Sequence, residues 1–189
     1  MRMLESNHFN IKMTSGNERV LICGITGQDG GFLAKHFLAK GYEVFGTSRF
    51  KNIHLNGLDR LGIRDRVTVL SLDITNKFDV VRIIEGVSPT LVYNVGGMTS
   101  VSDSFNDPQE AFASISIGTV NWLEAIRGFN NRIRYFNAGS SECFGNVSEG
   151  KPANEFTPFD PLSPYAAAKA SAKNIVDIYR KSYGMFCCT

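Results

Sequence analysis

The stretch RVLICGITGQDGGFLAKHFLAK, residues 19–40, decides the fold class of this chain. Its first seven residues, 19–25, are mostly apolar and rich in β-branched side chains, a composition typical of a buried strand. A loop rich in glycine follows, and residues 30–40 show the apolar spacing of a helix that Gly41 ends. A buried strand, a tight loop and a helix in direct succession predict the first unit of an alternating α/β fold.

The remainder of the chain continues this alternation. Strands are predicted over residues 19–25, 42–47, 66–73, 90–95, 132–140 and 185–189, and helices over 30–40, 76–87, 106–127 and 164–183. This order predicts a Rossmann-like doubly wound parallel sheet with helices on both faces and right-handed crossovers. We expect residues 1–18 to form a loosely ordered extension and residues 19–189 a single domain, truncated near its sixth strand.

Composition excludes several functional classes. The 189 residues are 43% hydrophobic and 20% charged with a net charge of +2, which is typical of a globular domain and predicts no nucleic-acid surface. No apolar run is long enough for a membrane span, and the polar N-terminus lacks the apolar core of a secretion signal. The four cysteines have neither metal-site nor disulfide-framework spacing, so we expect no metal and a reducing, cytoplasmic setting.

The glycine loop has the spacing G-x-x-G-x-x-G, formed by Gly24, Gly27 and Gly30. Glycines at a strand–helix junction let the backbone approach a pyrophosphate, and the helix N-terminus adds free amides and a positive dipole end. A tight turn alone would also explain the glycines, but in this context the loop predicts a dinucleotide site at the carboxyl ends of the strands. The residues expected to contact the cofactor are Gly24, Ile25, Thr26, Gly27, Gln28, Asp29, Gly30, Ser48, Arg49, Asp73, Ile74, Val95, Gly96, Gly97, Met98, Thr99, Tyr165 and Lys169.

The end of the second strand indicates which dinucleotide binds. An acidic residue there would bind the ribose 2′-hydroxyl of NAD, but residues 47–50 are Thr-Ser-Arg-Phe. Arg49, helped by Ser48, suits a 2′-phosphate, so NADP is predicted over NAD. An ordinary surface role for Arg49 is the alternative. Asp73 ends the third strand, where it either reaches the adenine or caps a helix.

The last predicted helix carries a candidate catalytic pair. Tyr165 and Lys169 are four positions apart, which places them on one face of a helix whose entrance is marked by Ser163 and Pro164. The pKa of a free phenol is about 10, and a neighbouring ammonium lowers that pKa, so Tyr165 is a candidate base. The plainer explanation is chance, because Tyr-x-x-x-Lys also occurs on solvated helices.

Two further candidates, Ser140 and Glu142, follow the fifth strand. They should therefore face the same sheet edge as the glycine loop and converge with Tyr165 and Lys169. Ser140 can hold the substrate oxygen. Glu142 can remove a proton beside a newly formed ketone and, once protonated, help a hydroxyl leave as water. A solvated loop acid is the alternative for Glu142.

Several longer stretches resemble the extended short-chain dehydrogenase/reductase family and, within it, the GDP-mannose 4,6-dehydratases. They are GITGQDGGFLAKHFLAKGYEVFGTSR (24–49), VVRIIEGVSPTLVYNVGGMTSVSDSFNDP (80–108), GTVNWLEAIR (118–127), SSECFG (140–145) and TPFDPLSPYAAAKA (157–170). GQDG after the first strand is fairly specific to these dehydratases, whereas Tyr-x-x-x-Lys marks only the superfamily. The resemblance covers residues 19–189.

The resemblance implies a reaction and its residues. In those dehydratases NADP⁺ oxidises the hexose at C4, a C5 proton and C6 water are lost, and the hydride returns to C6, which converts GDP-mannose to GDP-4-keto-6-deoxymannose. By position, Tyr165 would be the base, Lys169 its electrostatic partner, and Glu142 the group acting at C5 and C6. Ser140 stands where the family usually has threonine and keeps the hydroxyl. Phe50 replaces a second arginine that often follows the second strand.

The resemblance also has implications beyond the site. Family members continue much further, so a C-terminal nucleotide-sugar domain is expected to be absent from these 189 residues. Helices 106–127 and 164–183 commonly build a dimer in the family, which implies a homo-oligomer. The alternatives are an NADP-dependent 4-keto-sugar reductase or epimerase of the same family, and a truncated non-catalytic dinucleotide-binding module.

Overall fold

The structure of the chain is a computed structural model that describes residues 18–49, 55–147 and 152–189. The expected N-terminal extension therefore lies outside the described residues, apart from Glu18. Phe50, which departs from the family pattern, lies outside them as well.

Strands and helices alternate through the described residues. The strands are β1 (Arg19–Cys23), β2 (Glu43–Ser48), β3 (Val67–Ser71), β4 (Leu91–Asn94), β5 (Arg134–Asn137) and β6 (Cys187–Cys188). The α-helices are α1 (Gln28–Ala39), α2 (Asn56–Arg60), α3 (Lys77–Val87), α4 (Val101–Asn106), α5 (Pro108–Phe112), α6 (Gly118–Phe129) and α7 (Pro164–Tyr183). Every predicted strand is present, most of them shorter than predicted.

All six strands pair in parallel, in the order β3-β2-β1-β4-β5-β6. Ile22 at the centre of the sheet stands opposite Gly46 of β2 on one side and Tyr93 of β4 on the other. The chain begins in the middle, builds outward to β3, and then crosses back to build outward from β4. In such a sheet, ligands bind in the crevice between the carboxyl ends of the strands where the order reverses, here β1 and β4. The Rossmann-like topology is thus confirmed.

Helices cover both faces of the sheet, because alternate residues of a buried strand point to opposite sides. Leu21 of β1 belongs to a core that includes Trp122 of α6 and residues of α3 and α7. Its neighbour Ile22 belongs to a second core with Phe37 of α1. The two cores on opposite faces confirm the predicted doubly wound arrangement.

The helix predicted over residues 106–127 is present as a continuous helical run over 108–129, and the short helix α4 before it was not predicted. Between the two, the chain leaves helical geometry at Asp107, where φ is −137° and ψ is 77°. The Asp107 side chain caps α5, and Pro108 is its first residue, a position that proline suits because its missing N–H has no partner there. A π-helical turn, Ala113–Ile117, then separates α5 from α6.

Three further short helices were not predicted: α2 and the 3₁₀ helices Arg64–Arg66 and Ser141–Phe144. Segments this short are not long enough to repeat an apolar pattern, so periodicity does not reveal them. Within the described ranges, no helix has the length and apolar character needed to cross a membrane.

Candidate cofactor pocket and active site

The glycine loop lies against the segment that follows β4, at the point where the strand order reverses. Gly24 has a φ of +83°, and a Cβ there would come within 2.9 Å of the Gly96 Cα atom. A Cβ on Gly30 would lie only 2.2 Å from the Gly24 carbonyl oxygen. Side chains at these positions would therefore push α1 and the segment after β4 away from the loop.

The first turn of α1 leaves its amides available at this loop. Gly27 is the N-cap, and no side chain caps the helix. The Gly27 N–H donates to the Gly24 carbonyl at 3.0 Å, and the Gly31 N–H donates to the Gly27 carbonyl at 3.0 Å, which fixes the turn. Uncapped amides and the positive end of the helix dipole together favour an anionic group here.

A cavity of about 310 Å³ opens beside the loop, along the carboxyl ends of β1 to β4. Ten of the residues predicted to contact a cofactor line it: Gly24, Thr26, Gly27, Ser48, Arg49, Ile74, Val95, Gly96, Gly97 and Thr99. The lining also includes Cys23, Thr47 and Leu72, which sequence reasoning missed. All three lie within one residue of the end of a strand, so a systematic reading of strand ends would have found them.

Other predicted cofactor residues lie outside this lining: Ile25, Gln28, Asp29, Gly30, Asp73, Met98, Tyr165 and Lys169. Ile25 is fully buried in the core beneath α1, so only its backbone is near the loop. Asp73 accepts hydrogen bonds from the Thr75 N–H at 3.0 Å and the Thr75 hydroxyl at 2.7 Å. These bonds hold the pKa of Asp73 below its usual range, with a smaller contribution from Arg49. The cap of α3 is Asn76, not Asp73.

Tyr165 and Lys169 lie on one face at the start of α7, as their spacing predicts. Ser163 caps the helix by accepting a hydrogen bond from the Ala166 N–H at 3.1 Å, and Pro164 is the first helical residue. Both members of the pair are buried, Tyr165 at 8% exposure and Lys169 at 7%. The Lys169 ammonium nitrogen lies 5.8 Å from the centroid of the Tyr165 ring.

Backbone contacts connect this pair to the strand ends that border the pocket. Lys169 Nζ donates to the Ala138 carbonyl at 2.8 Å, and the Ala138 N–H donates to the Asn94 carbonyl at 2.9 Å. Met98, next to the pocket lining, packs against the apolar cluster that contains Tyr165. The candidate base and the pocket are therefore neighbours along the same sheet edge. Loss of water around Lys169 lowers the pKa of its ammonium group.

The turn that carries Ser140 and Glu142 is attached to the start of α7. Ser140 caps the 3₁₀ helix, its hydroxyl accepting from the Glu142 N–H at 3.2 Å. Within that turn Cys143 is buried, and its Sγ donates to the Ala166 carbonyl at 3.8 Å. Glu142 itself is exposed. Thus the fold brings together two segments that are more than twenty residues apart in sequence, with Glu142 at the solvent side.

Comparison with known proteins agrees with this architecture. A family model described as GDP-mannose 4,6 dehydratase matches residues 21–189. GDP-mannose 4,6-dehydratase from Vibrio cholerae is 40% identical over 179 residues, covering 90% of this chain and 48% of the relative. The human GDP-mannose 4,6 dehydratase is 37% identical over 177 residues, covering 88% of this chain and 47% of the relative. The chain therefore spans about half the length of the curated relatives it matches.

Solved structures of nucleotide-sugar enzymes share the fold. UDP-glucose 4-epimerase from Thermus thermophilus, solved with NAD, superimposes with a TM-score of 0.80 at 30% identity, covering 89% of this chain and 53% of that one. dTDP-glucose 4,6-dehydratase from Bacillus anthracis, also with NAD, gives a TM-score of 0.76 at 22% identity, covering 90% and 53%. The second likeness concerns the fold alone. From the match over residues 21–189, the chain belongs to the GDP-mannose 4,6-dehydratase family.

Proposed function

We propose that the pocket binds a nicotinamide dinucleotide, NADP in preference to NAD. The main support is the backbone cradle between Gly24 and Gly96, which leaves no room for a Cβ and faces the uncapped first turn of α1. The cavity of about 310 Å³ is in the usual range for a ligand pocket. Ser48 and Arg49, at the end of β2, supply a hydroxyl and a cation suited to a 2′-phosphate.

We further propose that the protein to which this chain belongs is a nucleotide-sugar 4,6-dehydratase acting on GDP-mannose. The names of its relatives support the substrate, and the positions of Ser140, Glu142, Tyr165 and Lys169 support the chemistry. The cofactor, when bound, supplies a hydride acceptor for C4 of the hexose and a hydride donor for C6. A 4-keto-sugar reductase or epimerase would need Ser140, Tyr165 and Lys169 in the same way, but it would not need Glu142.

Tyr165 and Lys169 would carry the first proton transfer. Tyr165, as phenolate, takes the proton of the C4 hydroxyl as that carbon is oxidised. Lys169 Nζ, 5.8 Å from the ring centroid, places a positive charge beside Tyr165 during this step. Ser140, at the entrance to the 3₁₀ helix, holds the same substrate oxygen by donating its hydroxyl proton.

Glu142 would carry the elimination. Its carboxylate takes the C5 proton, which is acidic because C4 is now a ketone, and gives that proton to the C6 hydroxyl as it leaves as water. Glu142 is therefore a carboxylate before and after each turnover. Completing the product also needs a proton at C5 as C6 receives the hydride, and the proton that Tyr165 took from the C4 hydroxyl would supply it, which returns Tyr165 to its starting state. Its exposed position suits a residue that meets a substrate entering from solvent.

The Glu142→Gln variant tests this assignment. The protein to which this chain belongs is incubated with NADP⁺ and GDP-mannose, and the alkali-induced absorbance of a 4-keto-6-deoxy sugar is followed together with NADPH binding. We expect the wild-type protein to form product and the variant to form at least about a hundredfold less, since general acid–base catalysis typically contributes that much. Oxidation at C4 should persist in the variant.

Each outcome selects one of the alternatives. A variant that forms as much keto-sugar as wild type would contradict the role of Glu142. A wild-type protein that transfers hydride to or from the sugar without forming the 4-keto-6-deoxy product, at a rate that Glu142→Gln leaves unchanged, would favour the reductase or epimerase. NADPH binding by the wild-type protein without any reaction of the sugar would favour a dinucleotide-binding module without catalysis. Absence of both binding and product would contradict the pocket assignment itself.

We also propose that the protein is cytoplasmic and associates with a second copy of itself through α7 and the helical segment from α5 to α6. Large apolar side chains are exposed on both, Ile117 and Phe129 on one and Ile178 and Tyr183 on the other. The four cysteines are free thiols, in keeping with a reducing compartment.

A further inference from the structure

Arg49 already has a carboxylate partner at the rim of the pocket. Its Nη2 donates a hydrogen bond to Oε1 of Glu110 in α5, 61 residues further along the chain. The two side chains are 43% and 30% exposed, so the pair is open to solvent on one side while Arg49 also lines the pocket. Asp73 provides a second nearby carboxylate, whose pKa is lowered partly by Arg49.

The position of Glu110 relative to the pocket is fixed by hydrogen bonds. Its N–H donates to the Asp107 carboxylate at 2.9 Å, which caps α5. Its carbonyl accepts from the Ser114 hydroxyl at 2.8 Å, and that hydroxyl in turn accepts from the Met98 N–H at 3.1 Å. Since Met98 directly follows the lining residue Gly97, α5 is tied to the wall of the pocket, and Glu110 is held where it meets Arg49.

We propose that Glu110 is a specificity-determining residue for the cofactor: it is the counter-ion of Arg49 that a ribose 2′-phosphate must displace. This inference rests on the proposed dinucleotide function of the pocket. Glu110 therefore weakens NADP binding and leaves NAD binding unchanged, because NAD has a hydroxyl where NADP has the phosphate.

The 2′-phosphate should displace Glu110 from Arg49, at a cost in NADP affinity large enough to measure. Exposed ion pairs are weak, and Arg–phosphate pairs are frequently bidentate and stronger, so the phosphate can take Arg49 from Glu110. The displaced carboxylate then remains close to the phosphate, and the like charges repel each other. Removing the negative charge from residue 110 abolishes both costs.

The test compares the affinities of the 189-residue chain and its variants for NADPH and NADH, measured by nicotinamide fluorescence. We expect Glu110→Gln to lower the Kd for NADPH about three- to tenfold, the range that loss of an exposed ion pair and of one like-charge contact allows. The Kd for NADH should stay within about twofold of wild type. Arg49→Gln should raise the NADPH Kd by about tenfold or more. Adding Glu110→Gln to Arg49→Gln should lower the NADPH Kd by a smaller factor than Glu110→Gln does alone, because the ion-pair cost needs Arg49 and only the like-charge contact remains to be removed.

Glu124→Gln is the matched control, since Glu124 also pairs with an arginine, Arg127, on a helix surface but outside the pocket lining. It should leave both affinities unchanged, and thermal unfolding of each variant checks that the fold is retained. An unchanged NADPH-to-NADH ratio in Glu110→Gln, or equal tightening of both ligands, would overturn the inference while the pocket assignment stands. A wild-type chain that binds neither dinucleotide would overturn both.

Discussion

The side-chain amine of Lys169 lies in an environment that is almost closed to water. The residue is 7% exposed, and its Nζ donates to the Ala138 carbonyl at 2.8 Å. Desolvation disfavours the ammonium, so its pKa in the folded chain is lower than in the unfolded chain. Between these two values the unfolded chain binds more protons than the folded chain, and the free energy of unfolding therefore rises with pH. The contribution is complete above about pH 10.4, the unfolded value, and is lost as pH falls through the folded pKa.

Lys169→Met should remove this pH dependence. Methionine keeps most of the side-chain volume but has no proton to lose. We expect the wild type to gain stability relative to the variant as the pH is raised from about 8 to about 10, because only the wild type has a lysine here whose pKa lies lower in the folded chain. Urea unfolding at a series of pH values measures the difference between the two proteins.

Lys181→Met serves as the control for that series. Lys181 is exposed near the end of the same helix, so its ammonium stays in water when the chain folds. The difference between this variant and wild type should be constant over the same pH range. A Lys169→Met difference that is equally constant would contradict the role assigned to desolvation.

Among the elements, the π-helical turn Ala113–Ile117 joins the pocket wall to α7. Ser114 is fully buried, and its hydroxyl accepts from the Met98 N–H beside the pocket. Ser116 is also buried, and its hydroxyl donates to the Ala168 carbonyl in α7 at 3.0 Å. Because π-helical turns are rare and often occur near functional sites, this one is a candidate for holding the loop after β4 in place.

Ser114→Ala should loosen that loop. The partly buried Met98 N–H loses its acceptor, so the loss in the free energy of unfolding should lie near the lower end of the about 1–3 kcal/mol that an unsatisfied buried donor costs. Hydrogen exchange should therefore be faster at the Met98 amide than at neighbouring protected amides of β4, in addition to the general loss of stability.

Ser116→Ala is the matched control, since it removes a buried hydroxyl from the same turn. It should lower the free energy of unfolding by a similar amount, but the hydrogen-exchange rate of the Met98 amide should change only as much as the rates of the β4 amides. If both variants change Met98 exchange to the same degree, the Ser114 hydroxyl does not position the loop individually.

At the scale of the whole molecule, large apolar side chains are exposed on two helical segments that pack against one another. Ile117 is 52% exposed in the π-helical turn, and Ile178 is 56% exposed in α7. Exposed apolar side chains grouped on one part of a surface often mark an interaction site. Association with a second copy through these segments is the arrangement proposed above.

Replacing Ile117 or Ile178 by aspartate should weaken self-association. A charge buried without a partner in an interface is costly, so the dimer dissociation constant should rise at least about tenfold, as measured by sedimentation velocity. Phe78→Asp, on the exposed surface of α3, is the control and should leave the sedimentation profile unchanged. A wild-type chain that sediments only as a monomer would contradict the proposal.

The order of strands and helices was predictable because it depends on local pattern. The β-branched run over residues 19–25, the helix entrance at Ser163 and Pro164, and the glycines of residues 24–30 each show their structure within a few neighbouring positions. The helix over 106–127 was not predictable in detail. The boundary at Asp107 is a local signal, since Asp107 caps the Glu110 N–H and Pro108 follows it. The π-helical turn is different, because its Ser114 and Ser116 hydroxyls bond to distant segments, which periodicity does not register.

One part of the candidate site was likewise predictable from sequence, and the other part came only from the tertiary structure. Tyr165 and Lys169 are related by one helical turn, so sequence alone placed them together, and Gly24 and Gly30 are close neighbours in the chain. The ion pair of Arg49 with Glu110, the burial of Lys169 and the attachment of the Glu142 turn to α7 came only from tertiary structure. The physical reason is range: backbone preference and side-chain periodicity act over a few residues, whereas ion pairing and desolvation depend on which distant segments the completed sheet brings into contact.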